Sequence, residues 1–157
     1  MTDINKISQE YTDFIFLGLD HGINSIRDGG GPLVAFVMAK MGDQKSLTRI
    51  LTERLENAPA EAEKLLKDLN PRPRLALIAY DGYATVKGER NDAIIVRSFD
   101  ISEEDGLVFA QRYIPKDVGP GIEPYGNAAL MGIEPNILRN DKDEPTKAKS
   151  KKPWWKF

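Results

Sequence analysis

Residues 74–114 read RLALIAYDGYATVKGERNDAIIVRSFDISEEDGLVFAQRYI. Three apolar runs stand out: residues 74–80 (RLALIAY), 93–99 (AIIVRSF) and 107–114 (LVFAQRYI). Each has the length and the β-branched and aromatic content of a strand. Residues 83–87 alternate more weakly. Asp81-Gly82 reads as a turn, residues 88–92 (GERND) as a second, and the acidic stretch 100–106 as a loop. Connections this short join antiparallel neighbours.

Upstream, Leu55, Ala58, Ala62, Leu65, Leu66 and Leu69 form one helical stripe. Pro59 is tolerated only in a first turn, so this helix is expected to start near Asn57. Asn70-Pro71-Arg72-Pro73 ends it. Residues 32–41 (PLVAFVMAKM) and 46–51 read as two strands joined by the turn Gly42-Asp43-Gln44. Residues 3–27 form a first helix, with Ile4, Ile7, Tyr11, Phe14, Ile15, Leu19 and Ile26 on one face and Asp3 as its cap. Leu17 projects from its polar arc and Phe16 lies at the edge, so more than half its circumference is apolar. The run Gly29-Gly30-Gly31 stops this helix. It does not read as a phosphate loop, because a strand follows it and not a helix N-terminus.

The order α-β-β-α-β-β-β-β predicts an α+β domain. Its antiparallel sheet would have about five to six strands, with two main helices packed on one face. After Pro115 the pattern breaks. Residues 1–115 are read as the single domain and 116–140 as an extended Pro/Gly-rich arm. Residues 141–157 are read as a flexible lysine-rich tail with an aromatic end.

A chain of 157 residues with 41% hydrophobic and 29% charged residues suits one folded domain diluted by a polar segment. It has no cysteine, which excludes disulfides, a thiolate nucleophile and cysteine metal sites. No signal-like or membrane-spanning apolar run is present, so a bacterial-type cytoplasm is the expected compartment. Five lysines and no acids fall in residues 147–157. Setting them aside, seventeen basic residues face twenty-four acidic ones, so the body carries −7. An acidic body offers no broad nucleic-acid surface.

Candidate chemistry is sparse. Asp81, Glu89 and Asp92 are the best acidic cluster, and carboxylates gathered from adjacent loops suit a hard cation such as Mg²⁺. Their obstacle is a strand of roughly 16 Å between the two predicted turns. His21, the single histidine, is a base candidate only if partners arrive from elsewhere. Arg97 and Arg112 on alternating strands would share a solvent face and bind an anion, or pair with Glu89, Asp92 or Glu103.

The tail holds both tryptophans of the chain, Trp154 and Trp155, followed by Phe157. Exposed tryptophan forgoes a large burial energy, so these residues point to a protein partner, self-association or weak contact with an anionic membrane surface. With Leu17 they are the candidate partner-binding residues. The leading expectation is a non-catalytic interaction or adaptor protein without a cofactor. The alternative is a metal-dependent hydrolase using Asp81, Glu89 and Asp92.

Overall fold

Long apolar alternation and short reversals build one antiparallel sheet, seen in a computed structural model that describes residues 3–29 and 32–139. In chain order the elements are α1 (Gln9–Ile26), β1 (Phe36–Met41), β2 (Gln44–Arg49), α2 (Ala58–Asp68), β3 (Leu75–Val86), β4 (Glu89–Asp100), β5 (Asp105–Pro115), β6 (Ile122–Pro124) and β7 (Ala129–Pro135). The sheet runs β2-β1-β3-β4-β5, and β6 and β7 share the outer edge of β5 at successive stretches. The α+β class, the antiparallel sheet and the two main helices are as the sequence predicts.

Three details differ. Residues 75–86 form one twelve-residue strand, not two: Asp81 and Gly82 lie in mid-strand, paired with Ile94 and Ala93. The reversal occurs instead at Lys87-Gly88, where both residues have positive φ (52° and 82°), as a two-residue hairpin requires. Residues 122–124 and 129–135, inside the expected arm, pair with β5.

The third difference concerns the helices, which cover opposite faces of the sheet. Tyr11, Phe14, Ile15, Leu19 and Ile23 of α1 pack on Leu75, Leu77, Ala79, Ile94 and Val96. Ala58, Ala62 and Leu66 of α2 pack on the alternate residues Ala76, Ile78 and Phe99. Successive strand residues face opposite ways, so strands apolar at every position need cover on both sides.

Local chemistry places each helix. A 3-10 turn, Ile4–Lys6, is capped by Asp3, and Ser8 caps α1 by accepting from the Tyr11 amide at 3.1 Å. The α1 backbone approaches the sheet at Gly18 and Gly22. A Cβ there would stand 2.6 Å from Leu77 Cδ2 and 2.7 Å from Ile94 Cγ2. Pro59 sits in the first turn of α2, where its missing N–H costs nothing.

Candidate functional site

β3 is longer than its neighbour. On one side β4 pairs with all of it, from Leu75 to Val86. On the other side β1 pairs only with residues 75–79. Among the described residues no strand pairs with that edge over residues 80–86. The chain entering β1 leaves the ladder here, and it is held by a side chain. The Leu33 amide donates to Asp81 Oδ2 at 2.7 Å, while the Tyr113 hydroxyl donates to Asp81 Oδ1 at 2.6 Å.

A cleft of about 1460 Å³ opens along this edge. Strand alternation gives it two chemically different walls. On the α2 face lie Gly82, Ala84, Ile95, Val108 and Met131, with Leu55 and Pro59 at the rim. Ala84, Ala93 and Ala110 are small and buried, which makes this wall hollow. On the α1 face lie Asp81, Tyr83, Arg90, Asp92 and Tyr113. Leu55 and Tyr83 are 51% and 57% exposed, unusual for side chains of this size in a well-packed domain. The Arg90 guanidinium stands 4.2 Å from the Tyr83 ring centre, a cation–π contact that orients both.

The α1-face wall carries two carboxylates, Asp81 and Asp92, and the Arg90 guanidinium. Burial pushes the Asp81 carboxyl above the ordinary aspartate range, against the opposing pull of its bonds from Tyr113 and Leu33, and the nearby Asp92 charge adds to the rise. Burial, then the bond to Asp81, pushes the Tyr113 hydroxyl upward as well. No lysine or arginine bonds to Asp81 among the described residues.

The three carboxylates singled out from sequence do not converge. Asp81 and Asp92 share the α1 face, since Asp81 lies opposite Ile94 and Asp92 opposite Tyr83. Glu89 lies opposite Val86 and so projects from the other face, where it accepts from the Tyr125 hydroxyl at 2.9 Å. Among the described residues no group of three His, Asp or Glu side chains is gathered to hold a metal ion.

The two arginines share that other face, yet not as an open anion site. Arg97 is 1% exposed and sits in a fork, donating to Glu134 at 2.7 and 2.9 Å and to Glu63 at 2.9 Å. Burial opposes its charge, but the two carboxylates more than offset this and hold it protonated. Arg112 is mostly buried, stacked over Tyr125 at 4.8 Å and 3.7 Å from Glu89, and its Nε has no hydrogen-bond partner among the described residues.

His21 lies edge-on to Phe36, ring centres 4.8 Å apart, in a packing position on α1. Leu17 is 39% exposed on one shoulder of α1 and Phe16 is exposed on the other, against Phe109. Trp154, Trp155 and Phe157 lie outside the described residues. No helix among the described residues is long and apolar enough to cross a membrane.

Sequence reasoning missed Tyr113, Tyr83 and Leu55. The signal that was there is the alternation itself: continuing the period of residues 75–80 through Asp81 and Gly82 places Asp81 and Tyr83 on one face. No protein-family model matches the chain, and no curated protein or solved structure matches it either.

Proposed function

We propose that the protein is a non-catalytic interaction module that takes an extended peptide at the open edge of β3. The observation that supports this most directly is the mismatch between β3 and β1. Residues 80–86 present strand backbone to a cleft with no described strand to pair with it. An added strand gains main-chain hydrogen bonds from such an edge, and pockets for alternate side chains give it specificity. The two walls define those pockets. One row of the peptide's side chains would meet the apolar hollow of Ala84, Ile95 and Met131. The other row would meet Asp81 and Asp92. The ligand class is therefore a strand that alternates apolar with basic residues. The hydrolase reading has no comparable support, because Glu89 stands on the opposite face from Asp81 and Asp92.

Panning a phage-displayed random-peptide library tests this. The target is the chain carrying Trp154→Ser and Trp155→Ser, which removes both of its tryptophans as competitors. Peptides alternating apolar and basic residues are expected to be enriched. Leu55→Glu, at an exposed rim position, is expected to weaken them at least tenfold while the melting temperature holds. No enrichment, or binding indifferent to Leu55→Glu, would contradict the proposal.

A further inference from the structure

The cleft's chemistry matches a segment of this same chain. We infer that the C-terminal residues 152–157 of each molecule dock as a strand on its own β3 edge, so that the chain carries a built-in competitor for its binding cleft. This rests on the reading of the cleft as a peptide site.

Residues 152–157 read Lys-Pro-Trp-Trp-Lys-Phe. In an extended strand alternate side chains separate to opposite faces. One row is then Pro153, Trp155 and Phe157, and the other is Lys152, Trp154 and Lys156. The first row is wholly apolar and suits the hollow of Ala84, Ile95 and Met131, where small floor residues leave room for an indole. The second row sets two lysines on the wall that carries Asp81 and Asp92, with an aromatic ring between them at the level of Tyr83. Pro153 lacks an N–H and is tolerated near the start of an edge strand. The six residues fit the seven-residue open stretch, 80–86.

Charge and reach agree. Residues 147–157 hold five lysines and no acids, against a body of −7. The described chain ends at Arg139, which donates to the Glu103 carbonyl beyond the end of β4. From there to the middle of the open edge is about eight strand residues, roughly 27 Å. The twelve residues 140–151 span up to about 40 Å when extended. A tether of that length gives a millimolar-scale effective concentration, so even weak pairing would populate the docked form.

Trp154 and Trp155 are the only tryptophans, so fluorescence of the full chain reports on this segment alone. The expected result is a blue-shifted emission, protected from acrylamide and independent of protein concentration. Leu55→Glu with Asp92→Lys should turn it red and raise the quenching constant several-fold, while unfolding stays cooperative. Asp92→Lys alone should do so in part, which keeps the test open if the double variant unfolds. A red, freely quenched emission in the parent chain would overturn docking, and so would a blue emission indifferent to both cleft variants. Emission that reddens on dilution would assign the cleft to a second copy. Emission that turns blue only on adding phosphatidylserine vesicles would assign the segment to a membrane surface; either result overturns the inference. The library experiment separates the two proposals: enriched peptides lost with Leu55→Glu would keep the cleft reading even if the segment proves free.

Discussion

Two carboxylates at opposite ends of the sheet, Glu10 and Asp81, are held in opposite ways. At the end where β1 covers β3, Arg97, Arg74 and Lys40 each meet a carboxylate. Arg97 lies between Glu134 and Glu63 on one face. On the other face Glu10 bonds to Arg74 and, at 2.6 Å, to Lys40. At the end where β1 falls away, Asp81 rests on two neutral donors, Tyr113 and Leu33. The Glu10 carboxyl is accordingly held down to about 2, first by its bond to Arg74 and then by Lys40. The Asp81 carboxyl is pushed up, first by burial. The difference teaches where the molecule is finished. The closed end pairs Arg97, Arg74 and Lys40 with carboxylates of the same fold, whereas the open end keeps Asp81 on neutral donors and a stretch of β3 that no described strand pairs.

The largest expected effect sharpens this contrast. Arg97→Met removes the guanidinium from beside two carboxylates and should destabilise the chain by about 3–5 kcal/mol in urea unfolding. Adding Glu134→Leu should recover part of that loss. A cost below about 1 kcal/mol would mean that the closed end is not held by this fork.

Next in size are the close approaches of α1. Gly18→Ala and Gly22→Ala should each cost about 1–3 kcal/mol, because the new Cβ meets Leu77 or Ile94 below contact distance. Both are read from chemical denaturation.

At the open end, Asp81→Ala should cost about 1–3 kcal/mol, because the Leu33 amide and the Tyr113 hydroxyl lose their acceptor. Asp81→Asn keeps an acceptor for Leu33 and should cost less than about 1 kcal/mol. The pH dependence has opposite signs at the two ends. Glu10, lowered on folding, adds stability above 4.5 that is lost as pH falls towards about 2. Asp81, raised on folding, favours the folded state most below 3.8, and that advantage is lost as pH rises through its higher folded value. Chemical-shift titration of the two carboxyls checks both directions, and Asp81→Asn should abolish the second.

The smallest expected effect on stability is at the cleft rim. In the chain carrying Trp154→Ser and Trp155→Ser, Leu55→Glu and Tyr83→Ser change exposed side chains and should shift stability by no more than about 0.5 kcal/mol. A larger loss would make these residues part of the core and not a binding rim.

The sheet, both helices and the hairpin at Gly42 were legible because each rests on local periodicity. Asp81-Gly82 was not, because the dipeptide is a strong turn signal only when nothing outside the segment competes. Here Asp81 anchors Leu33, forty-eight residues away, and Gly82 leaves room for Ile95, whose Cγ1 would lie 3.0 Å from a Cβ. A glycine inside a strand marks such an approach. The opposite placement of the helices was latent in the unbroken apolar runs of β3 and β4, which need cover on both faces. β6 and β7 carry little signal of their own, since their pairing partner β5 supplies the order. The cleft was illegible because it arises from a length difference between two paired strands, a property of neither sequence alone.

Amide hydrogen exchange along β3 tests the open edge most directly, comparing the full chain with the same chain carrying Trp154→Ser and Trp155→Ser. Docking predicts that alternate amides of residues 80–86 are protected in the parent and exchange at least tenfold faster in the variant, while residues 75–79 are unchanged. Equal protection of residues 80–86 in both chains would contradict it.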